Sequence, residues 1–175
     1  WAGKQSDVVY SILTGNPVMS DGVQLFHADH GNLMSATAIT TAAVGVAKAA
    51  MRKQTGIDGA KLNLTPKFLI CGPDKEQEAL ALCQGVIVPG TVANVNNFTG
   101  SLTPIVDSRI SGNKWFLAAD PNRIDTIEYG FLIGQPELAI EMFENYKNDR
   151  IDYRLKGMFG AKALSHRGLI YNPGA

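Results

Sequence analysis

DGVQLFHADHGNL, residues 21–33, runs almost directly into SATAITTAAVGVAKAAMRKQ, residues 35–54, and the reading of this junction decides the fold. In the second stretch Ile39, Ala43, Val46 and Ala50 recur at helical spacing, with Ala42 and Met51 beside them. Ser35 is placed to cap the helix, Lys48, Arg52 and Lys53 suit the negative end of its dipole, and Gly56 is a natural stop. A helix over 35–54 would be about 30 Å long. Its apolar face is built from small residues, so another backbone can approach it closely. Upstream, DVVYSIL (7–13) and VQLFHAD (23–29) are rich in β-branched and aromatic types and flank the loop-forming TGNPVMSDG (14–22). They predict a hairpin-like ribbon over 7–29. A lone two-stranded ribbon is marginal in water, so this reading requires an outside surface for it to lie on.

Beyond the junction, KLNLTPKFLIC (61–71) reads as a strand made irregular by Pro66, and GPDKEQEALALCQG (72–85) as a helix with Pro73 in its first turn and Gly85 at its end. VIVPGTVANVNNFTGS (86–101) carries no charge, and a long uncharged loop is uncommon unless it contacts something. Strands follow at 102–109, 114–119 and 124–133, a short helix at 136–146, and strand-like runs at 151–156 and 161–171. There is no internal repeat and no clean domain boundary. The order of elements argues α+β.

The 175 residues suffice for one domain or two small lobes sharing a core. Sixteen basic residues balance sixteen acidic ones, so nothing favours a nucleic-acid-binding surface. Apolar residues make up 45% and charged residues 18%, a balance compatible with large subunit interfaces. Cys71 and Cys83 are too few for a disulfide framework and too far apart in sequence for a paired zinc knuckle, and read as buried, reduced thiols. No apolar run is long enough to cross a bilayer, and no signal peptide is visible. The sequence opens on Trp1, which reads as a fragment or a processed product.

The sharpest cluster of chemical side chains is His27, Asp29 and His30. Histidine and aspartate together can bind a metal, but helical metal motifs place two histidines four apart, and on a strand positions 27 and 30 face opposite ways. A turn held by Asp29 and His30 is the preferred reading, and no metal or cofactor is expected. A serine triad through Ser165 and His166 lacks a nucleophile elbow. Glu137, Glu141 and Glu144 read as the solvated face of a helix. Trp115, Phe116 and Phe131 read as core.

Taken in order, MSDGVQLFHADHGNL, GAKLNLTPKFLICGPDKEQEAL, NKWFLAADP, IEYGFLIGQPE and RGLIYNPG resemble tailed-phage and prophage major capsid proteins related to the Mu-type major head subunit, some of which are encoded with a prohead protease and scaffold. The resemblance covers residues 7 to 174. It implies the Hong Kong ninety-seven-type capsid fold, with a peripheral domain, a long spine helix, an axial domain and an extended hairpin loop. On that mapping residues 1–61 hold the extended loop and spine helix, 62–133 most of the axial domain, and 134–175 the return to the peripheral domain. The implied function is structural and not enzymatic: copies of the chain form pentamers and hexamers that close into a virion shell around the genome. It carries no cofactor, no membrane contact and no specific nucleic-acid binding, and passes through the bacterial cytoplasm before assembly. A scaffold or prohead protease segment is a further expected partner. The alternative is a hydrolase fragment, either protease-associated or a metal enzyme built on His27, Asp29 and His30. The family's usual N-terminal arm reads as missing or cut short in these residues, and no protease domain is read among them. It also has no lysine between Gln5 and Gly31 from which a loop crosslink could form.

Overall fold

The fold is that of a computed structural model, which describes residues 2–85, 98–134 and 138–175. Its centre is a four-stranded sheet in the order β2-β1-β3-β8, formed by β1 (Pro66–Cys71), β2 (Thr103–Val106), β3 (Trp115–Ala119) and β8 (Leu169–Asn172). β1 and β2 run parallel, joined through a 3₁₀ turn at Pro73–Lys75 and α3 (Glu76–Gln84), as parallel neighbours need a crossover. The other pairings are antiparallel. Every residue of β3 is buried, which matches its uninterrupted apolar sequence WFLAA.

The pleat of β3 separates two cores. Trp115, Leu117 and Ala119 join Leu69, Cys71 and Ile170 beneath α2 (Thr41–Lys53) and α3, where Val44, Ala47, Met51, Ala79 and Leu82 close the layer. Phe116 and Ala118 face the other way, onto Leu13 of α1 (Ala2–Gly15) and onto Leu25 and Phe26. Phe26, Phe116 and Tyr171 form an aromatic cluster with ring centroids 5.0–5.6 Å apart. The mixed helix and sheet content agrees with the α+β expectation, and Trp115, Phe116, Cys71 and Cys83 are buried as the sequence indicates.

Three expectations are corrected. Residues 7–13 are helical, within α1, not a strand. Tyr10 and Leu13, three apart, place one stripe against the second core, so tertiary burial overrides the β preference of Val8, Val9 and Ile12. The 7–29 ribbon therefore does not form. Only a small loop remains, in which Val18 bridges Gln24 and Leu25 N–H donates to the Pro17 carbonyl. Asn16, at φ 49° just past the helix, exchanges two side-chain hydrogen bonds with the Phe26 backbone, also donates to the Gln24 side chain, and stitches this loop onto α1. Far from leaving the body, the segment buries Leu25 and Phe26 completely.

The second correction is the start of the long helix. Thr40, not Ser35, is its N-cap, accepting the Ala43 N–H, and α2 spans 13 residues. Residues 33–37 stay outside the helix because their polar groups find distant partners. Met34 N–H donates to the Tyr171 carbonyl, and the Trp115 indole N–H donates to the Thr37 carbonyl at 3.0 Å. Asn172, almost wholly buried, donates to the Ser35 carbonyl and the Thr37 hydroxyl, and accepts the backbone N–H of Thr37 and of Gly174.

The third concerns 136–146, expected as a helix. β5 (Ala139–Asn145) is instead a strand paired antiparallel with β6 (Arg150–Lys156), in a hairpin turned by Asp149 at φ 47°. Before and after it in the chain, β4 (Ile127–Phe131) pairs with β7 (Phe159–Ala163), and the latter contacts α1. The expected run at 161–171 is thus two strands, β7 and β8, separated by a turn at 164–168. Glu141 and Glu144 lie on opposite faces of β5, while Glu137 and most of the uncharged 86–101 loop fall outside the described residues.

Replacing Asn172 by alanine should lower the unfolding free energy by about 2–3 kcal/mol, since it removes the hydrogen bonds that a nearly wholly buried amide makes to Ser35, Thr37 and Gly174. Urea denaturation measures this. A loss below about 0.5 kcal/mol would mean that residues 33–37 are held by other contacts.

Candidate functional site

The β5–β6 hairpin separates its side chains by polarity. Directly paired residues share a face, so one face carries Ile140 with Leu155, Met142 with Tyr153, and Glu144 with Ile151. The other carries Glu141 with Arg154, Phe143 with Asp152, Asn145 with Arg150, and Ala139 with Lys156. Arg150 is paired with Asp152 at 3.1 Å, and Arg154 approaches Glu141 at 3.8 Å. The apolar face is uncovered: Ile140, Met142, Tyr153 and Leu155 are each 62–66% exposed. An amphipathic ribbon with its greasy side in water is the arrangement that marks a docking surface.

The histidines separate into two groups. His27 is half-exposed, and its Nδ1 accepts the Asp29 backbone N–H while lying 3.3 Å from the Asp29 carboxylate. His30 turns away from both. Its Nδ1 lies 3.2 Å from the Leu25 carbonyl, its Nε2 lies 2.8 Å from Asp21 Oδ2, and its ring stacks parallel on His166 at 3.8 Å between centroids. Sequence adjacency thus linked His30 to His27 and Asp29, whereas the fold links it to Asp21 and His166. His30 does clasp a turn, but with Asp21 in place of Asp29. The sequence holds no signal for His166 as a partner, because the contact runs between the 27–31 turn and the 164–168 turn.

Electrostatics follow burial. Hydrogen bonds from the Val23 backbone N–H and from His30 hold the Asp21 carboxyl below its usual range. Burial, reinforced by His30 and Arg167, lowers His166 from 6.5 to about 4, so its ring is neutral at physiological pH. The Ser165 hydroxyl accepts the Arg167 backbone N–H, and the His166 ring stacks on His30. Burial also raises both thiols, Cys71 to about 11. No helix among the described residues is long and apolar enough to cross a membrane.

With this geometry in view, comparison with known proteins identifies the class. A family model described as phage capsid protein matches residues 2–172, and the chain belongs to that family. A solved virus-like particle from Pyrococcus furiosus is similar over 97% of this chain and 60% of its own, at 12% identity and a TM-score of 0.48. The chain thus spans about 60% of that particle protein's length. No curated protein matches the sequence.

Cys71 and Cys83 should resist a neutral thiol reagent in the native protein at pH 8, since both are buried and Cys71 stays protonated up to about 11, and both should react at once in denaturant. Colorimetric thiol counting with and without urea distinguishes this from an accessible site.

Proposed function

We propose that the protein is a structural subunit of a phage or prophage capsid, which assembles with copies of itself into capsomers and a closed shell, and that the β5–β6 ribbon is the arm with which one copy grips the next. Membership of the phage capsid protein family supports the first part. The observation that carries the second is the bare apolar face of 139–156, which has no partner among the described residues of its own chain. Full burial of one large apolar side chain contributes on the order of 1.5–3 kcal/mol, so covering Ile140, Met142, Tyr153 and Leu155 repeatedly around a ring is a sufficient drive for closure. The charged reverse face keeps the ribbon wetted on the outside. The contact is noncovalent in this reading.

The extended-loop role thereby moves from 7–29 to 139–156. We retain α2 as the spine-like helix of a peripheral region within 1–61, place an axial region in 62–133, and read 134–175 as the arm together with the strands that return to the central sheet. The role is structural and not catalytic, with the virion as the destination, the host cytoplasm as the place of assembly, and a scaffold or protease segment as an accessory partner. Zero net charge suits a wall that faces packed nucleic acid without gripping it. Nothing in the family or the geometry favours the hydrolase alternative, because His27, Asp29 and His30 do not converge.

Charging the apolar face with Ile140→Lys and Tyr153→Lys should abolish large assemblies in sedimentation velocity and electron microscopy while leaving the thermal midpoint within a degree or two of the parent. Neutralising the reverse face with Glu141→Gln and Arg154→Gln should leave assembly intact. Normal shells from the first pair would remove the arm from the proposal.

A further inference from the structure

We propose that Asp21, His30 and a ring nitrogen of His166 form a binding site for a zinc-class divalent metal ion, which would clamp the 17–33 loop to the 164–168 turn. One ligand atom from each of the three lies within 4.8 Å of the other two. The donor set, two imidazoles and one carboxylate, is a common one for zinc with three protein ligands and a water.

The hydrogen-bond geometry around His30 calls for a cation. Nδ1 faces a carbonyl oxygen, that of Leu25, and must carry a proton to bond it. In a neutral ring Nε2 then holds a lone pair, and it faces a carboxylate oxygen 2.8 Å away. Two electron-pair donors meet at that gap, which either a proton or a metal ion can fill. Donation of the second ring N–H to a backbone carbonyl is the usual way a metal-binding histidine is oriented. The other Asp21 oxygen is occupied by the Val23 N–H at 3.0 Å, which leaves Oδ2 directed at His30.

A further support lies behind the ligands. The buried amide of Asn32 donates to the same Leu25 carbonyl at 2.7 Å and to the His166 carbonyl at 3.4 Å, so one side chain steadies the backbone beneath both histidines. His30 is buried, whereas Asp21 reaches solvent and gives an ion a way in. Binding opens the Nε2 to Oδ2 distance to about 3.3 Å and swings His166 out of its parallel stack so that its lone pair meets the ion. The site is independent of the assembly arm. The two thiols do not compete for the ion, being buried and protonated.

The test is calorimetric titration of zinc chloride into the chelator-stripped full chain at neutral pH, with thermal unfolding alongside. One ion per chain should bind in the micromolar range or tighter and raise the thermal midpoint. Asp21→Asn and His166→Ala, each at a partly exposed position, should weaken binding at least about tenfold, whereas His27→Ala should leave it unchanged. Circular dichroism of each variant separates loss of ligand from loss of fold. Absence of zinc binding to the folded parent, unaltered binding in His166→Ala, or loss of binding in His27→Ala would each overturn the proposal.

Discussion

Two asparagines carry a constraint on which the rest of the molecule depends. Asn32 and Asn172 are among the largest fully buried side chains, and an amide in such a place is tolerable only when its hydrogen bonds are met. Asn172 meets them with the backbone and hydroxyl of residues 35–37 and with Gly174. Asn32 meets them with Leu25, His27 and His166. Among the described residues no buried side-chain polar atom lacks a partner. The first third of the chain is therefore tied to the last strand by polar contacts that work in one register only. Tyr171 reinforces that register by exchanging backbone bonds with Asn32 and Met34. Where α2 begins, and hence which of its residues reach the sheet, follows from this tie.

The central sheet then has little freedom. β3 lies between β1 and β8, and its alternation sends Trp115 and Leu117 toward one core and Phe116 toward the other. What the body does not absorb is the excursion from β4 to β7. β4 and β7 are anchored where β7 meets α1, whereas among the described residues β5 and β6 find no comparable support. Among the described residues the protein is thus divided between a core whose buried side-chain polar atoms all have partners and a ribbon whose apolar face is bare.

Elements whose signals are local were legible in the sequence. The Pro and acidic residues at the start of the 72–85 segment, the apolar run of β3 and the apolar run at 68–71 each specify their structure without outside help. The misreadings share one cause. Residues 7–13 look like a strand until the second core is known, residues 35–40 look helical until Asn172 and Trp115 claim their backbone, and 139–145 looks like a helix until β6 is seen opposite. The histidine cluster shows the same limit: three side chains near in sequence drew attention to His30, but its companions Asp21 and His166 come from other turns. The capsid resemblance carried the family correctly, but the hairpin it implied over 7–29 does not form, because a motif records order along the chain and not which residues the core claims.

The tie through Asn172 also sets an order of events during synthesis. Strand β8 leaves the ribosome after the whole β4–β7 excursion, so residues 33–40 and the edge of β3 wait for it in an unsettled state. For that interval the sticky ribbon exists while the body beneath it is still open. Contacts between remote parts of a chain form slowly, and exposed apolar strands are prone to join wrong neighbours in the meantime. The bare apolar face of β5 and β6 is the stretch most open to such wrong pairing until β8 has closed the body.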